Sequence, residues 1–184
     1  MTRKALHRNA QVGENFAMAV VPATNTVLPP IEELVLQRGH MLLIDRVATC
    51  GAEHLEVTAC LGSDHPLADE HGIPCWVGLE LMAQAVLAFL GLELRAQGEA
   101  PRIGLLLGTR NYETHVPYFP AGRELRVRAA VAWRDDTGTG VFDCSVHLAE
   151  GRGDDSSGRE LARAKVKGFA PRDIETYLEA AIDG

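Results

Sequence analysis

The chain has 184 residues, of which 46% are hydrophobic and 23% charged, and its formal net charge is −7. This composition is typical of a globular protein with one sizeable core, and the acidic balance argues against a nucleic-acid surface, which needs clustered Lys and Arg. The four cysteines lie far apart without a CxxC pair, which argues against a zinc site, a redox motif and a disulfide framework.

The first 28 residues are predicted to be an extension, partly disordered, because they show no sustained hydrophobic period. Residues 29–184 are predicted to form a single domain. The domain opens with a short helix, IEELVLQ, followed by two strands at Met41–Cys50 and His54–Leu61. The second strand alternates apolar and polar residues, which predicts a half-buried strand.

The most apolar stretch of the chain, Trp76–Leu94, follows a loop at Gly62–Pro74 that is rich in turn-forming residues. We expect a helix about 28 Å long, buried on all sides. Glu80 and Gln84 interrupt it and lie one turn apart on one face. A carboxylate buried there is costly unless it is used or hydrogen-bonded, so Glu80 is either a functional group or half of a buried polar pair. The uncharged run before Glu93 is too short to span a bilayer, so no membrane span is expected.

The second half of the chain is predicted to be mostly β-structure. A hairpin turn is expected at Asp136–Gly138, an exposed loop at Gly151–Gly158, and a short amphipathic helix or frayed end after Pro171. The predicted strands are Arg102–His115, Glu124–Arg134, Gly140–Glu150 and Glu160–Ala170. One long helix among antiparallel strands describes an α+β fold, with a curved sheet wrapped around the helix. Such a sheet has open edges, and a second copy of the chain would cover one of them.

Three segments carry a resemblance to a known family. They are RGHMLLIDRV (residues 38–47), HPLADEHGIPCWVGLELMAQA (65–85) and GTRNYETHVPYFPAG (108–122). In this order they resemble the β-hydroxyacyl-acyl-carrier-protein dehydratases. The motifs RG-x-MLL-x-DRV and VGLE-x-MAQA are most similar to those of the aryl-polyene-pathway, ApeP-like branch. The resemblance implies a hotdog fold, a curved antiparallel sheet around one long central helix.

The resemblance also implies an activity, namely loss of water from a 3-hydroxyacyl thioester on an acyl carrier protein to give a trans-2-enoyl thioester. Members of this family use a loop histidine and a helix acid from different subunits of a dimer. By position these are His71 and Glu80, with His65 as the alternative base. No metal and no cofactor are implied beyond the phosphopantetheine that carries the substrate. The family's loop reads Gly-His-Phe-Pro, whereas His71 here lies between Glu70 and Gly72.

The chemistry of such an elimination fits these residue types. A base removes the C2 proton, an acid protonates the departing hydroxyl, and a donor stabilises the charge on the thioester oxygen. Burial would raise the pKa of Glu80 and keep it protonated, against the helix dipole, which favours the anion. The amides of Trp76, Val77 or Gly78 at the helix start are the expected oxyanion donors. Gln84 is placed to hydrogen-bond Glu80 and fix its orientation.

Two other functions stay open at this point. The first is an acyl thioesterase on the same fold, and the second is a non-catalytic subunit that pairs with an active dehydratase. The expected partners are an acyl carrier protein or coenzyme A thioester and a second subunit, either identical or a paralogue, in a dimer or a higher oligomer. Nucleic-acid and membrane partners are not expected, and the lack of a signal peptide predicts a cytoplasmic location.

Overall fold

The computed structural model describes residues 28–149, 158–174 and 177. Within them the chain forms one long helix and eight strands, with short 3-10 turns at Ile31–Glu33 and Gly39–Met41. The helix is α1 (Val77–Ala96). The strands are β1 (Arg46–Cys50), β2 (His54–Ala59), β3 (Ile73–Pro74), β4 (Leu105–Thr114), β5 (Tyr118–Phe119), β6 (Leu125–Arg134), β7 (Thr139–Leu148) and β8 (Glu160–Phe169).

Six of these strands form one antiparallel sheet in the order β1-β2-β6-β7-β8-β4, and β3 and β5 pair separately. β4, the strand that follows the helix, pairs only with β8 among the described strands, so it lies at an edge of the sheet. The register of β4 shifts twice, between Leu106 and Gly108 and between Arg110 and Glu113, so this strand is bulged at both places. An exposed and bulged edge strand fits the predicted open edge.

The core lies between one side of α1 and the concave face of the sheet. Leu81, Met82 and Ala85 of α1 have no exposed surface, and they belong to one buried cluster with Val127 and Val146 of the central strands. A large apolar area is thereby removed from water, and this burial is the main stabilising contribution to the domain.

The segment before β1 crosses α1 at close range. A side chain at Gly91 would place its Cβ only 2.9 Å from the Leu34 Cα, so a glycine is required at this crossing. Arg38 closes the preceding turn by donating to the carbonyl oxygens of Glu32 (2.8 Å) and Val35 (2.7 Å). These contacts fix the path of the chain toward Met41. The Met41 carbonyl oxygen binds Gln84, which lies one helical turn after Glu80.

Several sequence predictions need correction. The helix IEELVLQ is only a 3-10 turn, and the first strand begins at Arg46 because Gly39–Met41 forms a second such turn. β2 is not half-buried, since Glu56 and Thr58 on its polar face are 5% and 1% exposed. Glu56 is stabilised there by a hydrogen-bonded ion pair with Arg126 at 2.9 Å.

The central helix is confirmed, but the prediction that it is buried on all sides is wrong for the single chain. Leu79, Glu80 and Leu92 are partly exposed, as is a stripe formed by Ala83, Leu87, Leu90 and Leu94. The sheet covers one side of α1 only, which leaves this stripe uncovered. By length and composition α1 could cross a membrane, and 56% of its most apolar part is buried inside the domain.

Some predictions lie outside the described residues. They are the extension up to residue 27, most of the loop at 151–158, and most of the segment after Pro171. The hairpin turn at Asp136–Gly138 is described and confirmed, since the amide of Asp135 donates to the carbonyl oxygen of Thr139 (3.0 Å) and Gly138 has a φ of 101°.

Candidate active site

Glu80 lies in the first turn of α1 and is held there by Gln84. The Gln84 Nε2 donates to the Glu80 Oε1 at 2.7 Å, which is the hydrogen bond expected from their spacing. The same amide also donates to the Met41 carbonyl oxygen (2.7 Å), and its Oε1 accepts from the Leu43 amide (2.9 Å). Gln84 is completely buried, whereas Glu80 is partly exposed. The carboxyl group is therefore fixed on one side and accessible on the other.

The accessible side of Glu80 faces a cavity of about 740 Å³ that runs along the uncovered stripe of α1. Its wall on the helix includes Glu80, Ala83, Leu87 and Leu90, which are spaced by three and four residues. From the sheet, β4, β7 and β8 contribute Leu105, Phe142, Val166 and Phe169 to the lining, which also contains charged side chains such as Glu93 and Arg134. A cavity with an apolar stripe along the helix and charged groups around it, Glu80 among them, suits a small amphipathic ligand such as an acyl thioester.

The helix start offers backbone donors close to Glu80. The Gly78 amide donates to the Cys75 carbonyl oxygen at 3.0 Å, and the Leu79 amide donates to that of Trp76 at 3.2 Å. Within the described part of the chain, the amides of Trp76 and Val77 have no acceptor. Of the three predicted oxyanion donors, Gly78 thus has a partner already, while Trp76 and Val77 are available.

His71 lies on a tight turn before β3. Asp69 and Gly72 close this turn with two backbone hydrogen bonds of 2.9 and 3.2 Å, and the Asp69 carboxylate accepts from the His71 amide at 2.7 Å. The His71 side chain is 62% exposed, lies 3.6 Å from the Glu70 carboxylate, and packs against the Tyr118 ring at 5.2 Å between centroids. No hydrogen bond joins it to Glu80 in the residues described here.

His65 is tied into the structure through both ring nitrogens. Its Nδ1 accepts from the Leu67 amide at 3.2 Å, and its Nε2 lies 3.2 Å from the His40 carbonyl oxygen. These bonds fit one neutral tautomer, with the proton on Nε2. The one basic nitrogen is then occupied by a backbone amide, so the geometry favours a role in anchoring the loop over a role as base.

Tyr112 also belongs to this site, although sequence reasoning missed it. It lies in the second bulge of β4, and its hydroxyl donates to the Cys75 carbonyl oxygen beside the helix start. Burial raises the pKa of Tyr112 well above its ordinary value, so the hydroxyl stays protonated and acts as a donor. A Cβ at Gly78 would contact this hydroxyl and lie 2.9 Å from the Phe119 Cζ, so the glycine is needed for packing.

Residues 29–179 match the family described as ApeP-like, ApeP dehydratase. The chain belongs to the ApeP-like dehydratase family. This match covers the described helix, the whole sheet and the candidate site, and it confirms the resemblance drawn from the three sequence segments. None of the curated protein sequences matches this ApeP-like chain.

Solved structures support the same architecture. The dehydratase heterocomplex ApeI:P from Xenorhabdus doucetiae is 22% identical with a TM-score of 0.71, covering 83% of this chain and 97% of that one. AziG from S. sahachiroi is 17% identical with a TM-score of 0.52, covering 73% and 94% of the two chains. A thioesterase from Staphylococcus aureus is 10% identical with a TM-score of 0.51, covering 68% and 91%. The ApeP-like chain has the hotdog fold that the sequence predicted.

Proposed function

We propose that this ApeP-like protein dehydrates 3-hydroxyacyl thioesters carried on the phosphopantetheine of an acyl carrier protein, in aryl-polyene-type or fatty-acid synthesis. The observation that carries the proposal is Glu80, held by the buried Gln84, on the wall of a cavity that runs along the apolar stripe of α1. One turn before it lie two amides that have no acceptor in the described residues. The family to which the chain belongs supports a dehydratase. A cytoplasmic location and a coenzyme A thioester as a substitute substrate are part of the same proposal.

In the proposed reaction, His71 takes a proton from C2 while the C3–O bond breaks. Glu80, entering the step protonated, gives its proton to the departing hydroxyl, so that water leaves and a C2–C3 double bond forms. The amides of Trp76 and Val77 stabilise the negative charge that develops on the thioester oxygen. Afterwards the imidazolium is deprotonated and the carboxylate reprotonated, which returns the site to its starting state.

We further propose that His71 and Glu80 of one site belong to two different subunits. His71 is exposed and has no hydrogen bond to Glu80 in the described part of the chain, so a second subunit has access to it. The Xenorhabdus doucetiae structure is a heterocomplex, which supports a paralogue as the second subunit as much as an identical copy.

A turnover assay tests the proposal directly. The purified chain, alone and with its paralogue, is given a 3-hydroxyacyl carrier-protein thioester while conjugated enoyl product and free thiol are followed. We expect enoyl product without thiol release, and we expect Glu80→Gln to abolish it, because the amide cannot donate a proton to the hydroxyl. The substituted side chain keeps an oxygen for the Gln84 bond, so the melting temperature should stay close to that of the wild type. Unchanged turnover in Glu80→Gln would exclude Glu80 as the acid.

The same assay separates the two histidines. His71→Asn is expected to be inactive and His65→Asn active, since the basic nitrogen of His65 already accepts from the Leu67 amide. The reverse result would assign the base to His65. Thiol release without enoyl product would identify a thioesterase instead.

The second candidate is a non-catalytic subunit of a dehydratase heterodimer. It is favoured by the His71 side chain, which is 62% exposed beside Glu70 and not held against the helix acid. In that case Glu80→Gln in this chain would leave the turnover of the heterodimer unchanged, whereas substitution of the paralogue's own acid would abolish it.

A further inference from the structure

The edge strand β4 departs from regular geometry where Tyr112 occurs. Between Arg110 and Glu113 the pairing with β8 advances by three residues on β4 but only two on β8, from Lys165 to Arg163. Asn111 takes up the extra length with a φ of 56°, in the left-handed region. Asn is among the few residues that tolerate this conformation, and bulges often redirect a side chain toward a functional site.

The redirected side chain reaches Cys75, two residues before the first residue of α1. The Tyr112 hydroxyl donates to the Cys75 carbonyl oxygen, which also accepts from the Gly78 amide at 3.0 Å. The amide of Cys75 in turn donates to the Pro117 carbonyl oxygen at 3.0 Å. Cys75 is therefore held through both of its backbone polar groups, by contacts from the strand and turn that follow the helix.

The consequence lies in the next peptide unit. A trans peptide is planar, so its carbonyl and its N–H point in opposite directions. Fixing the Cys75 carbonyl toward Tyr112 therefore fixes the Trp76 N–H away from Tyr112. In the described residues this N–H has no acceptor. The Tyr112 hydroxyl therefore binds one end of the rigid Cys75–Trp76 peptide group, and the N–H without an acceptor lies at the other end.

We propose that Tyr112 is a positioning residue for the Cys75–Trp76 peptide, whose N–H polarises the thioester carbonyl of the substrate. The inference rests on the proposed function, because it assigns the Trp76 amide to the substrate of that same site. The Tyr112 side chain, which comes from another element, adds to the Gly78 amide of the helix in holding the Cys75 carbonyl oxygen. The bulge at Asn111 has a role in this arrangement, since a regular strand would have no extra residue at this point.

Tyr112→Phe tests this inference, because it keeps the ring and removes only the hydroxyl. We expect kcat to fall about tenfold to a hundredfold with KM near the wild-type value, because the donor acts on charge that develops in the transition state. Thr109→Val is the matched control, since the Thr109 hydroxyl donates to the Lys165 carbonyl oxygen (2.9 Å) from the same strand without contacting the helix start. This control should retain the wild-type kcat and KM. Equal kinetics for the two variants would overturn the proposal.

A measurement independent of turnover separates this inference from the proposed function. The ¹⁵N-labelled full-length protein, in its assembled state, is titrated with butyryl-pantetheine, an acyl thioester that has no hydroxyl to eliminate. We expect the backbone amide signal of Trp76 to shift on binding in the wild type and in Thr109→Val, and to shift less in Tyr112→Phe. This result would support the positioning role even if the wild type failed to dehydrate its substrate. No shift at Trp76, or an equal shift in Tyr112→Phe, would overturn the role even in an active enzyme.

Discussion

At the residue scale, Gln84 is the side chain that joins the candidate acid to the rest of the fold. Its amide group makes one hydrogen bond to Glu80 and two to the backbone of Met41 and Leu43. All three hydrogen bonds are made by a side chain that is completely buried. Loss of the amide would leave the Leu43 N–H buried without a partner, which costs more than the net value of the bond itself, and would also remove the bond to the Met41 carbonyl oxygen.

Gln84→Leu is therefore expected to lower the free energy of unfolding by about 2–4 kcal/mol, as for one buried backbone donor left without a partner and two further hydrogen bonds lost. Urea denaturation followed by circular dichroism measures the change. Gln97→Leu provides the control, because Gln97 follows the helix in an exposed position and its side chain makes no hydrogen bond in the described part of the chain. An equally small loss for both variants would contradict a structural role for Gln84.

The Gln84 contacts also mark what sequence reasoning reaches at this scale. Helix geometry places residues four apart together, so the bond to Glu80 follows from the sequence. The bonds to Met41 and Leu43 join residues 43 and 41 positions away and depend on the path of the intervening chain. Tyr112 was missed for the same reason, since its role depends on a bulge that neither composition nor alternation indicates.

At the element scale, the β6–β7 hairpin is closed by one carboxylate. The Asp135 Oδ1 accepts from the Thr137 hydroxyl (2.8 Å), the Thr137 amide (3.0 Å) and the Thr139 amide (2.9 Å). These bonds, with that of the Thr137 hydroxyl as the largest cause, hold the pKa of Asp135 below its ordinary value. The turn therefore depends on the charged form of this group.

The pH dependence follows from the sign of this shift. Because the folded-state pKa lies below the unfolded one, Asp135 contributes its full stability above its ordinary pKa of 3.8, and the contribution is lost as pH falls through the folded-state value. Asp135→Asn should thus be less stable than the wild type near neutrality, and the difference should shrink in acid. Urea unfolding across this range tests the prediction, with Asp136→Asn at the neighbouring exposed position as control. A difference that grows in acid would contradict it.

The elements themselves were predictable to different degrees. The long apolar run gives α1 with little ambiguity, and alternation gives the long strands, because these periods reflect burial against one face. The two-residue strands β3 and β5 were missed, since so short a pair has no period of its own. The exposed stripe on α1 was missed because apolar residues also occupy surfaces that another chain covers.

At the scale of the whole molecule, uncovered apolar surface is found on neighbouring elements. On and just before the edge strand β4, Ile103, Leu106 and Leu107 are 48%, 45% and 49% exposed. The partly exposed stripe of α1 lies across the cavity from the start of this strand. An unpaired strand edge beside apolar side chains is a template for pairing with another chain. This surface therefore supports the proposed two-subunit site, with β4 as the contact strand.

Leu107→Lys is expected to weaken association by placing a charge near the start of this strand, beside the exposed side chains of Ile103 and Leu106. The wild type, alone or mixed with its paralogue, should have at least twice the mass of one subunit, because the proposed site uses residues of two subunits. Sedimentation velocity over a concentration series measures the shift toward the monomer. Trp133→Lys introduces the same charge at a side chain that is 52% exposed on the central strand β6, and it should leave the assembly intact. Turnover should fall with the assembled fraction in Leu107→Lys, because the histidine and the acid of each site then separate. If Leu107→Lys assembled normally, β4 would not be the contact strand. If its monomer kept full activity, the two-subunit site would have to be abandoned.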